Sequence, residues 1–210
     1  MHSVRTPAWR IAGSFVSWLL FVFSFTGLFL SAGVVIGLGG YCASGGPYVI
    51  ETQCPEGVIL FAPLGIFGMI AAAVISMAVA DNLGAPLYLW AWPILFVGLG
   101  IQFLLGATAG IGIVTNILLG LMFVVMGLVP LIGTVRTGAR PFFLGATDAD
   151  GRPFTTSATS GRSAFTPKRP EGDPVDPTPK DWALSLALAL LGSGLGAWLA
   201  VLAFRAAGSV

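Results

Sequence analysis

Charge is what this sequence has least of. Only 9% of its 210 residues are Asp, Glu, Lys or Arg, against about 25% in a soluble domain. There is one histidine, His2, and there are two cysteines, Cys42 and Cys54. A net charge of +1 supplies no basic surface for nucleic acid. So few carboxylates, with a single His, leave no set from which a paired acid–base site or a metal cluster can be assembled, so no catalytic residue, metal or cofactor is expected. Hydrophobic residues make up 56% of the chain. A soluble enzyme is therefore excluded.

The apolar residues gather into charge-free runs long enough to cross a hydrocarbon core of about 30 Å as helices. Five are expected, at residues 11–39, 58–80, 87–106, 110–133 and 182–204. The first is too long for the apolar region of a signal peptide and reads as an uncleaved anchor. Between the runs lie an amino-terminal stretch (1–10), a loop (40–57), two turns (81–86 and 107–109), a polar linker (134–181) and a carboxyl-terminal stretch (205–210). The predicted fold is an all-α integral membrane protein, with four helices in a bundle and a fifth following the linker.

Orientation follows from Lys and Arg, which favour the cytoplasmic side. With the amino terminus inside and the carboxyl terminus outside, Arg5, Arg10, Arg136, Arg140, Arg152, Arg162, Lys168, Arg169 and Lys180 are inside and only Arg205 is outside. The aromatic residues agree: Trp9, Tyr88, Trp90 and Trp182 fall near the inner interface, and Tyr41, Tyr48 and Trp198 near the outer one.

This orientation places Cys42 and Cys54 outside, where disulfides persist. Their spacing suits neither a Cys-x-x-Cys redox pair nor, without a histidine nearby, a zinc shell. A disulfide stapling the loop is expected. Among the polar residues of the apolar runs, Ser24, Thr26, Gln102, Thr115 and Asn116 are singled out. Gln102 and Asn116 lie at similar depth on either side of the turn near residue 108. They form either an interhelical hydrogen bond or a polar pair on a solute path. Gly33-x-x-x-Gly37 and Gly192-x-x-x-Gly196 have the spacing that lets helices approach closely. Asp81, followed by Asn82, Gly84 and Pro86, reads as a helix stop and turn.

The linker holds half of the fourteen prolines, with seven basic and six acidic residues, and is expected to be disordered. Asp148-Ala-Asp150-Gly151 resembles half a calcium loop, but Ala146 and Ser157 stand where ligands are needed, so a turn is expected.

The loop Gly40-Tyr-Cys-Ala-Ser-Gly-Gly-Pro-Tyr48, closing with Gln53-Cys-Pro-Glu-Gly57, resembles the outer loop of small polytopic membrane proteins from high-GC actinobacteria. The excess of Val, Ala and Gly over Lys and Ile is similar to their composition. The resemblance implies a bacterial plasma membrane and implies no activity and no catalytic residue.

Two functions suit these features. The first is a non-enzymatic accessory or scaffold subunit, whose partners are the bilayer and another integral membrane protein. The alternative is a passive channel or carrier for a small neutral or lipidic molecule, with Gln102, Thr115 and Asn116 along the path.

Overall fold

The computed structural model describes residues 6–38, 42–43, 49–55, 57–84, 87–106, 113–137, 143–145, 147–156 and 171–208. It is mostly helical. The helices are α1 (Ala8–Gly37), α2 (Phe61–Ala78, entered through a 3-10 turn at Val58–Leu60), α3 (Leu87–Gly106), α4 (Ile113–Thr137) and α5 (Pro179–Gly208). Two short antiparallel strands, β1 (Phe154–Thr156) and β2 (Glu171–Pro174), lie between α4 and α5. Pro63 sits in the first turn of α2, where the missing N–H has no helical acceptor in any case. At the start of α5, Asp181 Oδ2 accepts hydrogen bonds from the backbone N–H and the hydroxyl of Thr178, at 2.8 and 2.7 Å. This ties down a helix start whose first N–H groups otherwise lack partners.

The distribution of side chains is inverted relative to a soluble domain. The largest fully buried side chains are Ser14, Ser17 and Ser185, whereas Phe67, Leu105, Val114 and Leu190 are 69%, 68%, 70% and 72% exposed. A chain whose surroundings are water hides its large apolar groups. This one hides hydroxyls and shows hydrocarbon. Among the described residues three helices, α1, α2 and α5, are long and apolar enough to cross a membrane, consistent with a membrane protein.

α1 is the hub. α2 runs antiparallel along one side of it, with Gly13 against Val79 at one end and Gly27 against Phe61 at the other. α5 runs parallel along another side, with Gly192 against Trp18 and Gly196 against Leu19 and Phe23. α3 covers the far half of α1, where Gly98 meets Phe29, and α4 packs on α3. The sequence leaves open whether the fifth helix packs on the other four, and these contacts place it against α1. The last helix belongs to the central group and α4 lies at the edge. The reason is steric: Ser185, Ala189, Gly192, Gly196 and Ala200 give α5 a buried side of small residues that lets its backbone reach that of α1.

Most of the buried side of α1 repeats at seven-residue spacing, with Arg10, Ser17, Ser24 and Ser31 on one line and Ser14 and Phe21 on the next. That period keeps one face turned toward its neighbours in a left-handed bundle. Ser17 Oγ donates to Ala72 O at 2.9 Å and Ser31 Oγ donates to Val58 O at 3.0 Å. Opposite them, α2 presents Gly65, Ala72 and Ser76.

The linker also differs from expectation in its described parts. Thr147 bridges Pro153, β1 pairs with β2, and the N–H of Val175 donates to Pro153 O at 2.8 Å. The turn between Thr147 and Pro153 is closed by Asp148, whose Oδ1 accepts from the N–H groups of Asp150 and Arg152 at 3.0 and 2.7 Å. The hydrogen bond from Arg152 to Asp150, and then the charge of Asp148, raise the pKa of this guanidinium. Tertiary contact supplies what composition lacks: Leu144 is buried, and the Phe143 ring packs on Trp182 of α5 with centroids 5.8 Å apart. Residues 157–170, the centre of the expected disordered segment, lie outside the described residues.

Candidate functional site

The most elaborate polar arrangement lies where the start of α1 meets the end of α2. The chain leaves α2 through a turn in which Asp81 and Asn82 have φ of 50° and 58° and Gly84 has φ of 89°. Asp and Asn tolerate this left-handed conformation better than most residues. The turn aims three carbonyls at α1, and α1 offers three donors one turn apart. Arg10 Nε donates to Ala80 O at 2.9 Å, Ser14 Oγ to Leu83 O at 2.6 Å, and Trp18 Nε1 to Gly84 O at 2.9 Å. A helix carboxyl end carries partial negative charge and carbonyls without helical partners, so a cation is favoured there.

Arg10 is also an ion-pair partner. Its Nε lies 4.0 Å from Asp81 Oδ2, and both side chains are only 2% exposed. A buried pair is tolerated only with further hydrogen bonds, and the bond from Arg10 Nε to Ala80 O is one of them. Residues 143–145 close the arrangement. The N–H of Gly84 donates to Phe143 O at 3.3 Å. Gly145, with φ of 78°, sits against the Arg10 guanidinium so tightly that a Cβ there would meet Nη2 and lie 2.7 Å from Asp81 O.

Cys42 and Cys54 are joined in a disulfide. The backbone around it is tied by Ala43 N–H to Thr52 O and Cys54 N–H to Ala43 O, both 3.0 Å. This loop lies at the other end of the bundle from Arg10, where Gly57 packs on Ala207 and the Phe61 and Phe204 rings lie 5.3 Å apart. Much of the loop, including 44–48, is outside the described residues.

The four glycines singled out from their spacing occupy different settings. A Cβ on Gly192 would come 2.7 Å from Trp18 Cβ and 3.1 Å from Phe15 O, and one on Gly196 would collide with Leu19 O. Gly33 instead faces the side chain of Gln102, and a Cβ on Gly37 would meet nothing among the described residues within 4 Å. Gln102 Oε1 is buried and accepts no hydrogen bond from the described residues. Gln102 and Asn116 are not hydrogen-bonded to each other. Asn116 is half-buried, with its Nδ2 near Gly106, and Thr115 is exposed. α3 and α4 also approach closely at glycines with no G-x-x-x-G spacing: a Cβ on Gly100 would lie 2.7 Å from Gly120 O.

No group of three or more metal-ligating side chains is found among the described residues. No protein-family model matches the chain, and no match is found among curated proteins or solved structures.

Proposed function

We propose that the chain crosses the bacterial plasma membrane five times, amino terminus inside and carboxyl terminus outside, as a non-enzymatic accessory or scaffold subunit of a larger membrane complex. Five crossings accord with the grouping of ends. Thr6, the 81–84 turn, residues 143–153 and the start of α5 gather at one end, and the disulfide loop and the end of α5 at the other. A disulfide suits an outer, oxidising side.

The observation that carries the subunit reading is how the central helices close on one another. At Gly13, Gly65, Gly192 and Gly196 a single added carbon would strike the neighbouring segment, so α1 meets both α2 and α5 in close contact, as expected of a packed subunit. α4, held on one side by α3, turns Val114, Leu118, Leu121 and Val125 outward. Its outer face is available to lipid or to another membrane helix.

The test is mild-detergent purification with mass spectrometry, combined with photo-crosslinkers placed at Leu118 and Val125. A stoichiometric partner crosslinked from α4 is the expected result. A lone monomer or homo-oligomer, crosslinked only to lipid, would sink the reading.

A second reading, a passive channel or carrier for a small neutral or lipidic molecule, rests on Gln102, whose Oε1 is buried between α1 and α3 without a partner among the described residues. Vesicles whose permeability is unchanged by Asn116→Leu and Gln102→Leu would remove it.

A further inference from the structure

Two buried donors have no hydrogen-bond partner among the described residues: Arg10 Nη2 and Ser185 Oγ. They come from different helices, α1 and α5, and their residues are only 2% and 0% exposed. Arg10 and Ser185 line one small pocket with room of about 10 Å³, whose wall also includes Thr6, Leu83, Leu144 and Asp181. A buried donor left unsatisfied is costly, and a charged one more so. Two such donors meeting at one small space point to a shared guest.

Size and charge identify the guest. About 10 Å³ is the room that one water molecule needs, and too little for a phosphate or a lipid headgroup. Asp81 lies 4.0 Å from Arg10 and already balances its charge, and Asp181 lines the wall, so an anion gains nothing. The guanidinium disfavours a metal cation. What remains is a small neutral molecule that both accepts and donates. We propose that this cavity is a site for one ordered water molecule, accepting from Arg10 Nη2 and hydrogen-bonded to Ser185 Oγ, with Asp181 as a further acceptor on the wall. The water extends the Arg10 network, which already ties α1 to the end of α2, across to α5.

The test compares Ser185→Ala, which keeps the space, with Ser185→Val, which fills it, in the full chain purified in detergent. The Val variant displaces the water and strands Arg10. It is expected to melt at least about 4 °C below the Ala variant. In an Arg10→Met/Asp81→Asn background no charged donor remains to be stranded, and the difference should vanish. If Val equals or exceeds Ala in the otherwise unaltered chain, as expected for filling a dry void, the proposal is overturned. So it is if the difference persists in the second background.

A direct measurement covers a Val variant that does not fold. A map of the unaltered protein that resolves ordered waters should show a peak within about 3.2 Å of both Arg10 Nη2 and Ser185 Oγ. Its absence there, with other waters visible, overturns the proposal.

Discussion

Ser17 Oγ donates to the carbonyl oxygen of Ala72 at 2.9 Å, joining α1 to α2 where Ala72 is fully buried. Between membrane helices such a bond is worth about 0.6 to 2 kcal/mol. Ser17→Ala should destabilise the protein toward the lower end of that range. Ser17→Leu, which overfills the contact, should cost about 1 to 3 kcal/mol. Unfolding by denaturing detergent, followed by Trp fluorescence, measures both, and a Leu variant as stable as the Ala variant would remove the claim that this seam is tightly packed.

The glycines of α5 divide by geometry. Gly192 and Gly196 lie on the backbone of α1, whereas a Cβ on Gly194 would meet nothing within 4 Å among the described residues. Gly196→Ala should lose about 1 to 3 kcal/mol, and Gly194→Ala should be neutral or slightly stabilising, as Ala is the better helix former. Equal melting shifts for the two variants would contradict the packing described.

Arg10 and Asp81 should behave as a pair. Removing one charge strands the other in a buried setting, at a cost of about 3 to 5 kcal/mol. Arg10→Met and Asp81→Asn should each destabilise strongly, and the double variant should be more stable than the sum of the two losses predicts. Strict additivity in a double-mutant cycle would show that the charges act independently.

The disulfide closes a loop of twelve residues' separation. Replacing Cys42 and Cys54 by serine should lower stability by roughly 2.5 to 3 kcal/mol. In intact cells, a membrane-impermeant maleimide should label the cysteines only after reduction from outside. Labelling that requires lysis would reverse the proposed orientation.

The helices were legible because apolar runs of membrane length have few other structures open to them. Cys42 and Cys54 had no other partners to choose between. The Arg10 site was not legible, because its members are separated by 71 positions and each has a sufficient local explanation: Arg10 as a topology-setting charge, Asp81 as a helix stop. Only the arrival of α2 beside α1 makes them neighbours. A fainter signal was present in the seven-residue spacing of Ser17, Ser24 and Ser31, which marks the buried side of α1 with hydroxyls where a lipid-facing side would carry hydrocarbon. The folding of 143–145, 147–156 and 171–178 depends on the bundle end beneath, which local composition does not describe.

The central place of α1 has a consequence for how the protein is made. Its last buried neighbour, α5, is separated from it by residues 38–178. At about 5 to 20 residues per second, a ribosome needs on the order of ten seconds to deliver that stretch. For that interval the side of α1 that receives Gly192 and Gly196 is without its partner, and lipid or the insertion machinery must occupy it. Assembly around α1 therefore includes a displacement, in which α5 evicts a temporary occupant from α1.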